Sequence, residues 1–114
     1  MKQAILDTSF ILSALINKID LFEELMFQGI KPIIPKKVIE ELAKKDKSEL
    51  SLLLIKKSNS KIIDLGDIYA DKQIINYAKE NPSVLVATLD KEIQKAVKNP
   101  KIIIRNKKQL MVTS

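Results

Sequence analysis

Five short apolar runs punctuate the sequence, and none of them alternates with polar residues. They are Ala4-Ile5-Leu6, Pro32-Ile33-Ile34, Ile62-Ile63, Val84-Leu85-Val86-Ala87 and Ile102-Ile103-Ile104. Unbroken, mostly β-branched runs of this length read as strands buried on both faces, the signature of a parallel sheet. Helical stripes separate them. Phe10, Ile11, Ala14 and Leu15 share one face; Leu21, Leu25 and Met26 begin a second; Val38, Ile39, Leu42 and Ala43 form a third. Leu50, Leu53 and Leu54 predict a fourth, Ile74, Ile75 and Ala78 a fifth, and Ile93, Ala96 and Val97 a sixth. Strand and helix in alternation predict a three-layer α/β/α sandwich, with right-handed crossovers and a five-stranded parallel sheet.

Punctuation agrees with this reading. Gln28-Gly29 closes the second helix, where glycine tolerates the left-handed backbone. Pro35 opens the third, where the missing N–H costs nothing. Asp46-Lys47-Ser48-Glu49 reads as a capping box before the fourth. Asn81-Pro82 and Asn99-Pro100 each end a helix ahead of a strand. No repeat or linker interrupts the 114 residues, so one domain spanning 1–114 is expected.

Composition narrows the chemistry. The chain has no histidine and no cysteine. That excludes a Ser-His-Asp triad, a histidine base, thiol catalysis, disulfides and the usual zinc sites. What remains is carboxylate, hydroxyl and amine chemistry, or a cation held by oxygen. Nineteen lysines and one arginine against 14 acids leave a net charge of +6. A basic balance of this size suits a polyanion and equally confers solubility. The chain has no apolar stretch long enough to span a bilayer and no leader-like start, so a cytoplasmic location with no membrane partner is expected.

In open α/β sheets ligands bind beyond the carboxyl ends of the strands. Asp7 follows the first strand and Asp90 the fourth. Each alone reads equally as a helix N-cap, as do Thr8 and Ser9 for the first helix. Glu41 lies at the margin of the stripe set by Val38, while Glu40 points nearer to solvent. Asp71 shares a face with Ile74, Ile75 and Ala78, an inward position that costs desolvation unless a cation or a lysine compensates. Taken together, four acids fall on four separate elements. Clustered carboxylates repel, and a divalent ion with oxygen ligands relieves that conflict. Setting the four aside leaves +10 on the remainder, so an acidic pocket sits in a basic body.

These residues resemble the motifs of PIN-domain ribonucleases. Asp7-Thr8-Ser9 is similar to that family's opening, Val38-Ile39-Glu40-Glu41-Leu42 to its helical V-x-x-E-L, Ala70-Asp71-Lys72-Gln73-Ile74-Ile75 to its A-D-x-x-I, and Ala87-Thr88-Leu89-Asp90 to its T-x-D. The resemblance runs over almost the whole chain. It implies a sheet of strand order 3-2-1-4-5, Mg²⁺ or Mn²⁺ as cofactor, and RNA as substrate. It also implies Asp7, Glu41, Asp71 and Asp90 as the catalytic and metal-binding quartet. Hydrolysis by a metal-activated water would leave 5′-phosphate and 3′-hydroxyl ends. The Ser9 and Thr88 hydroxyls are placed to orient these carboxylates or simply to cap.

The chain departs from the family at Lys72, where some members carry a second aspartate. Glu92 stands open between ligand of a second ion and solvated surface acid. The chain is shorter than many VapC-type toxins and lacks the Cys-rich module of PIN nucleases that mature ribosomal RNA. A toxin would imply an antitoxin partner, and the family implies that homodimers are common. Two rival readings remain: a non-catalytic PIN-like scaffold for RNA or protein, and a receiver-like signalling domain. The second leaves Glu41 without a role. Of the five aromatics, the phenylalanines are assigned to the core, and no base-stacking platform is expected.

Overall fold

The computed structural model describes residues 2–45 and 48–113. Its elements run β1 (Lys2–Leu6), α1 (Thr8–Ile16), α2 (Leu21–Phe27), β2 (Ile30–Pro35), α3 (Lys36–Ala43) and α4 (Ser48–Lys57). They continue with β3 (Lys61–Ile63), α5 (Ala70–Glu80), β4 (Leu85–Ala87), α6 (Lys91–Ala96), β5 (Lys101–Arg105) and β6 (Gln109–Thr113). The strands form one sheet in the order β3-β2-β1-β4-β5-β6. The first five are parallel, in the expected order, and each expected run lies in or overlaps its strand.

The sheet has six strands rather than five. β6 turns back antiparallel on β5, pairing Ile102 with Val112 and Ile104 with Leu110. The turn between them places Asn106 and Lys107 at φ values of 54° and 56°, with the Lys108 amide donating to the Arg105 carbonyl. Two consecutive left-handed residues make the tight hairpin turn whose twist matches the flanking strands. Lysine in place of glycine hides that turn from a reading of the sequence.

The core sits on both faces of β1, β2 and β4. Ala4, Ile5, Leu6, Ile33, Ile34, Val86 and Ala87 are essentially inaccessible to solvent. Burial of each large aliphatic side chain is worth roughly 1.5–3 kcal/mol before entropy is counted. The helices form two groups, α1 to α4 contacting one another and α5 contacting α6, and the sheet is sandwiched between them.

One helix faces otherwise than its stripe predicts, and in a second the stripe holds at Ile74 and Ala78 while the buried face is offset from Asp71. In α4 the buried positions are Ser51 and Ile55, whereas Leu50, Leu53 and Leu54 are exposed. In α5 the buried stripe is Ala70, Gln73, Ile74 and Ala78, one residue out of step with Asp71, which is exposed. Of the fourth helix's capping box, Asp46 and Lys47 lie outside the described residues. Of the phenylalanines, Phe10 is buried and Phe22 packs against the core, but Phe27 is 92% exposed. It ends α2, where Gln28 caps and Gly29 turns away at φ 73°.

Asn99 knits together the lower end of the sandwich. Its buried amide donates to the carbonyls of Ala78, Asn81 and Val84, each at 3.0 Å. The first two already accept a backbone amide, Ala78 from Asn81 at 3.2 Å and Asn81 from Val84 at 3.0 Å, so Asn99 supplies each with a second donor where α5 ends. Replacing Asn99 with alanine removes three side-chain hydrogen bonds from a buried position. Urea denaturation should show Asn99→Ala losing about 1–3 kcal/mol, and an unchanged midpoint would mean that water replaces the amide.

Candidate active site

The carboxyl end of β1 delivers Asp7 to the base of a cleft of about 710 Å³. The Asp7 amide still belongs to the sheet, donating to the Ala87 carbonyl at 3.0 Å. Its side chain already belongs to the helix. Asp7 is the N-cap of α1, and Oδ1 accepts from the Thr8 amide at 2.8 Å. Oδ2 accepts from the Ser9 hydroxyl at 3.1 Å and the Thr88 hydroxyl at 2.7 Å.

Those hydroxyls are in turn fixed from the β4 side. The Thr88 oxygen accepts from the Asp90 amide, and the Ser9 oxygen accepts from the Leu89 amide. A carboxylate oxygen offers two lone pairs. Oδ2 is therefore filled, and Oδ1 keeps one site for a further partner.

Asp7 is 8% exposed. Burial pushes its pKa above the ordinary 3.8, against the lowering effect of hydrogen bonds from Thr88, Thr8 and Ser9; the neighbouring Glu41 charge pushes it further upward. Glu41, on α3, is exposed and tethered: the Thr8 hydroxyl donates to its Oε1 at 2.5 Å. Thr8 thus joins the two acids, its amide on Asp7 and its hydroxyl on Glu41. A capping role for Thr8 is all that its sequence position suggests, because its reach to α3 depends on packing across 33 residues. Glu40, one residue earlier, turns away and pairs with Lys37 at 3.8 Å.

Asp90 is the N-cap of α6, its Oδ1 accepting from the Glu92 amide at 2.8 Å, and Asp71 lies in the first turn of α5. Both are exposed and both line the cleft with Asp7 and Glu41. The inward, desolvated position expected for Asp71 is thus corrected: it faces the cleft from the solvent side. Glu92 does not line the cleft. Lys44, Lys45, Lys72 and Tyr69 do; of these the sequence singles out only Lys72, as a departure from the family pattern.

Every donor at the base of this cleft is oxygen, which suits a hard cation. Among the described residues, no three acids stand close enough to hold one ion by themselves. A cation held there would need water or substrate oxygens to complete its shell. Mg²⁺ keeps several waters and takes one or two carboxylates, completing its shell with substrate phosphate.

Comparison with known proteins agrees with this architecture. The family described as a PIN-like domain matches residues 4–109, and the chain belongs to that family. It is 34% identical over 123 aligned positions to Ribonuclease VapC4 of Methanocaldococcus jannaschii, covering 95% of this chain and 94% of that protein. Its fold is similar to the solved structure of the PIN domain endonuclease Utp24. The TM-score is 0.84 with 29% identity, covering 96% of this chain and 90% of the other.

The raised pKa of Asp7 has a definite sign in stability. The contribution of its protonated form is complete below the unfolded value near 3.8 and is lost as pH rises through the raised folded value. Urea denaturation in EDTA between about pH 3 and about pH 7 should show wild type losing stability relative to Asp7→Asn as pH rises. Parallel curves would mean that the carboxylate carries no burial cost.

Proposed function

We propose that this protein is a divalent-metal-dependent endoribonuclease. The observation that carries the reading is the fixed, buried Asp7 at the base of a cleft shared with Glu41, Asp71 and Asp90. The family membership and the two named nucleases support it. Asp7, Asp71, Asp90 and Glu41 would serve the cation, one or two of them directly and the others through bound water. Mg²⁺ or Mn²⁺ bound there supplies Lewis acidity toward water and phosphoryl oxygens.

The chain's own contribution is positioning. Asp7 is locked by three donors and presents Oδ1. Thr8 holds Glu41 at a set distance from it, so that Glu41 can orient a water at the cleft. Asp90 is held by its cap and by Thr88. Lys44, Lys45 and Lys72 offset the acids for an incoming polyanion. Water adds to phosphorus and the 3′ oxygen leaves, giving 5′-phosphate and 3′-hydroxyl ends. No histidine exists in the chain to act as base.

The test is cleavage of labelled single-stranded RNA by the purified chain. Activity should require Mn²⁺ or Mg²⁺ and vanish in EDTA. Asp90→Asn keeps the cap and should lose at least about a hundredfold in rate. Glu40→Gln should cut like wild type. Cleavage in EDTA, or an Asp90→Asn variant at full rate, would overturn the reading.

Salt dependence gives a second check on the lysines. Three phosphate contacts predict a slope of about −2 for log affinity against log salt, at roughly −0.7 per phosphate on a single strand. Replacing Lys72 with alanine should make that slope shallower by one contact. A flat dependence would mean that the basic balance serves only solubility.

A further inference from the structure

Tyr69 breaks a local rule at the mouth of the cleft. It is the N-cap of α5, a position that favours Ser, Thr, Asp or Asn, and its side chain makes no capping bond. Its ring is 77% exposed, directly before Ala70 and Asp71. Neither capping nor burial repays that placement, and rule-breaking of this kind is expected at functional sites.

The loop that carries Tyr69 is built rather than loose. Asp64 Oδ1 accepts from the Gly66 amide at 3.0 Å, closing a turn in which Gly66 adopts φ 93°. Gln73, 2% exposed, reaches back from α5, and its amide donates at 2.9 Å to both the Gly66 and Ile68 carbonyls. A buried glutamine therefore pins the loop before the ring at Gly66 and Ile68. The cost is visible, since Gln73 Oε1 is buried with no partner among the described residues.

We infer that Tyr69 stacks on an unpaired base of RNA lying in the cleft, an inference that rests on the proposed nuclease reading. An aromatic face is sequence-tolerant toward bases and unavailable to bases already stacked in a duplex. The surroundings favour a nucleic acid over a protein. Asp71, Lys72, Lys44 and Lys45 line the same cleft as the ring. An apolar protein surface seated there would bury those charges unpaired. A single strand keeps them hydrated or paired with phosphate while offering a flat π-face to the ring. Tyr69 thus makes the cleft selective for single-stranded RNA.

The composition supplies a direct probe. The chain has no tryptophan and two tyrosines, so Tyr77→Phe leaves Tyr69 as its sole strong fluorophore. In an Asp90→Asn background that prevents cutting, titration with a short oligouridine should quench Tyr69 emission. The reciprocal Tyr69→Phe variant, reporting from Tyr77, should stay unquenched. An abasic oligonucleotide of equal length and charge should bind more weakly and leave Tyr69 emission unchanged. Tyr69→Ala should weaken oligouridine binding on the order of tenfold, and Tyr69→Phe should not. Circular dichroism of Tyr69→Ala should match wild type, since the ring caps nothing.

Binding of end-labelled oligouridine without quenching, or equal binding of the abasic strand, would overturn the stacking role and leave the nuclease reading intact. Absence of both RNA binding and wild-type cleavage would overturn the two together.

Discussion

A carboxylate taken out of water is expensive unless the protein replaces the lost hydrogen bonds. The structure around Asp7 is organised by that constraint. Three donors surround the side chain: one from the helix it starts, one from a hydroxyl two residues on, and one from a hydroxyl 81 residues away. The third exists only if β4 lies beside β1 in the observed register, with Leu6 opposite Ala87. The Asp7 amide makes the same demand, bonding to Ala87 from within the sheet. Fold and site therefore share one set of contacts. A slip of the β1–β4 pairing by one residue would cost the buried acid its Thr88 donor.

The same economy makes the two readings of acids at strand-to-helix junctions compatible. Capping and ligation are different uses of different lone pairs. Asp7 caps α1 through one lone pair of Oδ1 and keeps another, while Asp90 caps α6 and stays exposed to the cleft. The cap fixes the rotamer, which is the precondition for a side chain that must present charge at a set place. Burial of Asp7 and the charge of Glu41 both raise the cost of the ionised state. The site is thus strained electrostatically in the direction that a cation relieves.

How much of this is legible in the sequence depends on whether local pattern or tertiary contact decides. The five parallel strands are legible because burial on both faces demands unbroken apolar runs. β6 is not, since Gln109-Leu110-Met111-Val112-Thr113 follows a turn of Asn106 and Lys107 with no glycine to announce it. In α4, apolar residues fill Leu52 through Ile55 without a gap, so periodicity cannot choose a face, and packing selects Ser51 and Ile55. In α5, a buried glutamine occupies the stripe, which shifts the apparent apolar face by one residue onto Asp71. The acids that share the cleft are legible as an ordered set of motifs. Thr8 as the link to Glu41, Gln73 as the pin of the loop, and Tyr69 as the exposed ring are not, because each acquires its role from a partner distant in sequence or from a turn that only the backbone reveals.

These illegible residues bear on how an acidic cleft receives a polyanion. Four carboxylates facing one space oppose phosphate, and the lysines along the cleft offset only part of that repulsion in a solvated setting. On the proposed reading, a cation and an RNA strand each remove an obstacle to the other: positive charge admits phosphate, and phosphate oxygens complete a coordination shell that these acids do not close alone. Their affinities are then reciprocally coupled. On the same reading, stacking on Tyr69 is a contact that does not depend on charge. It would hold the strand in place while the electrostatic terms balance, and only for bases free of a partner strand. Selectivity for single strands would then reside in the β3–α5 loop, apart from the acids that carry the chemistry.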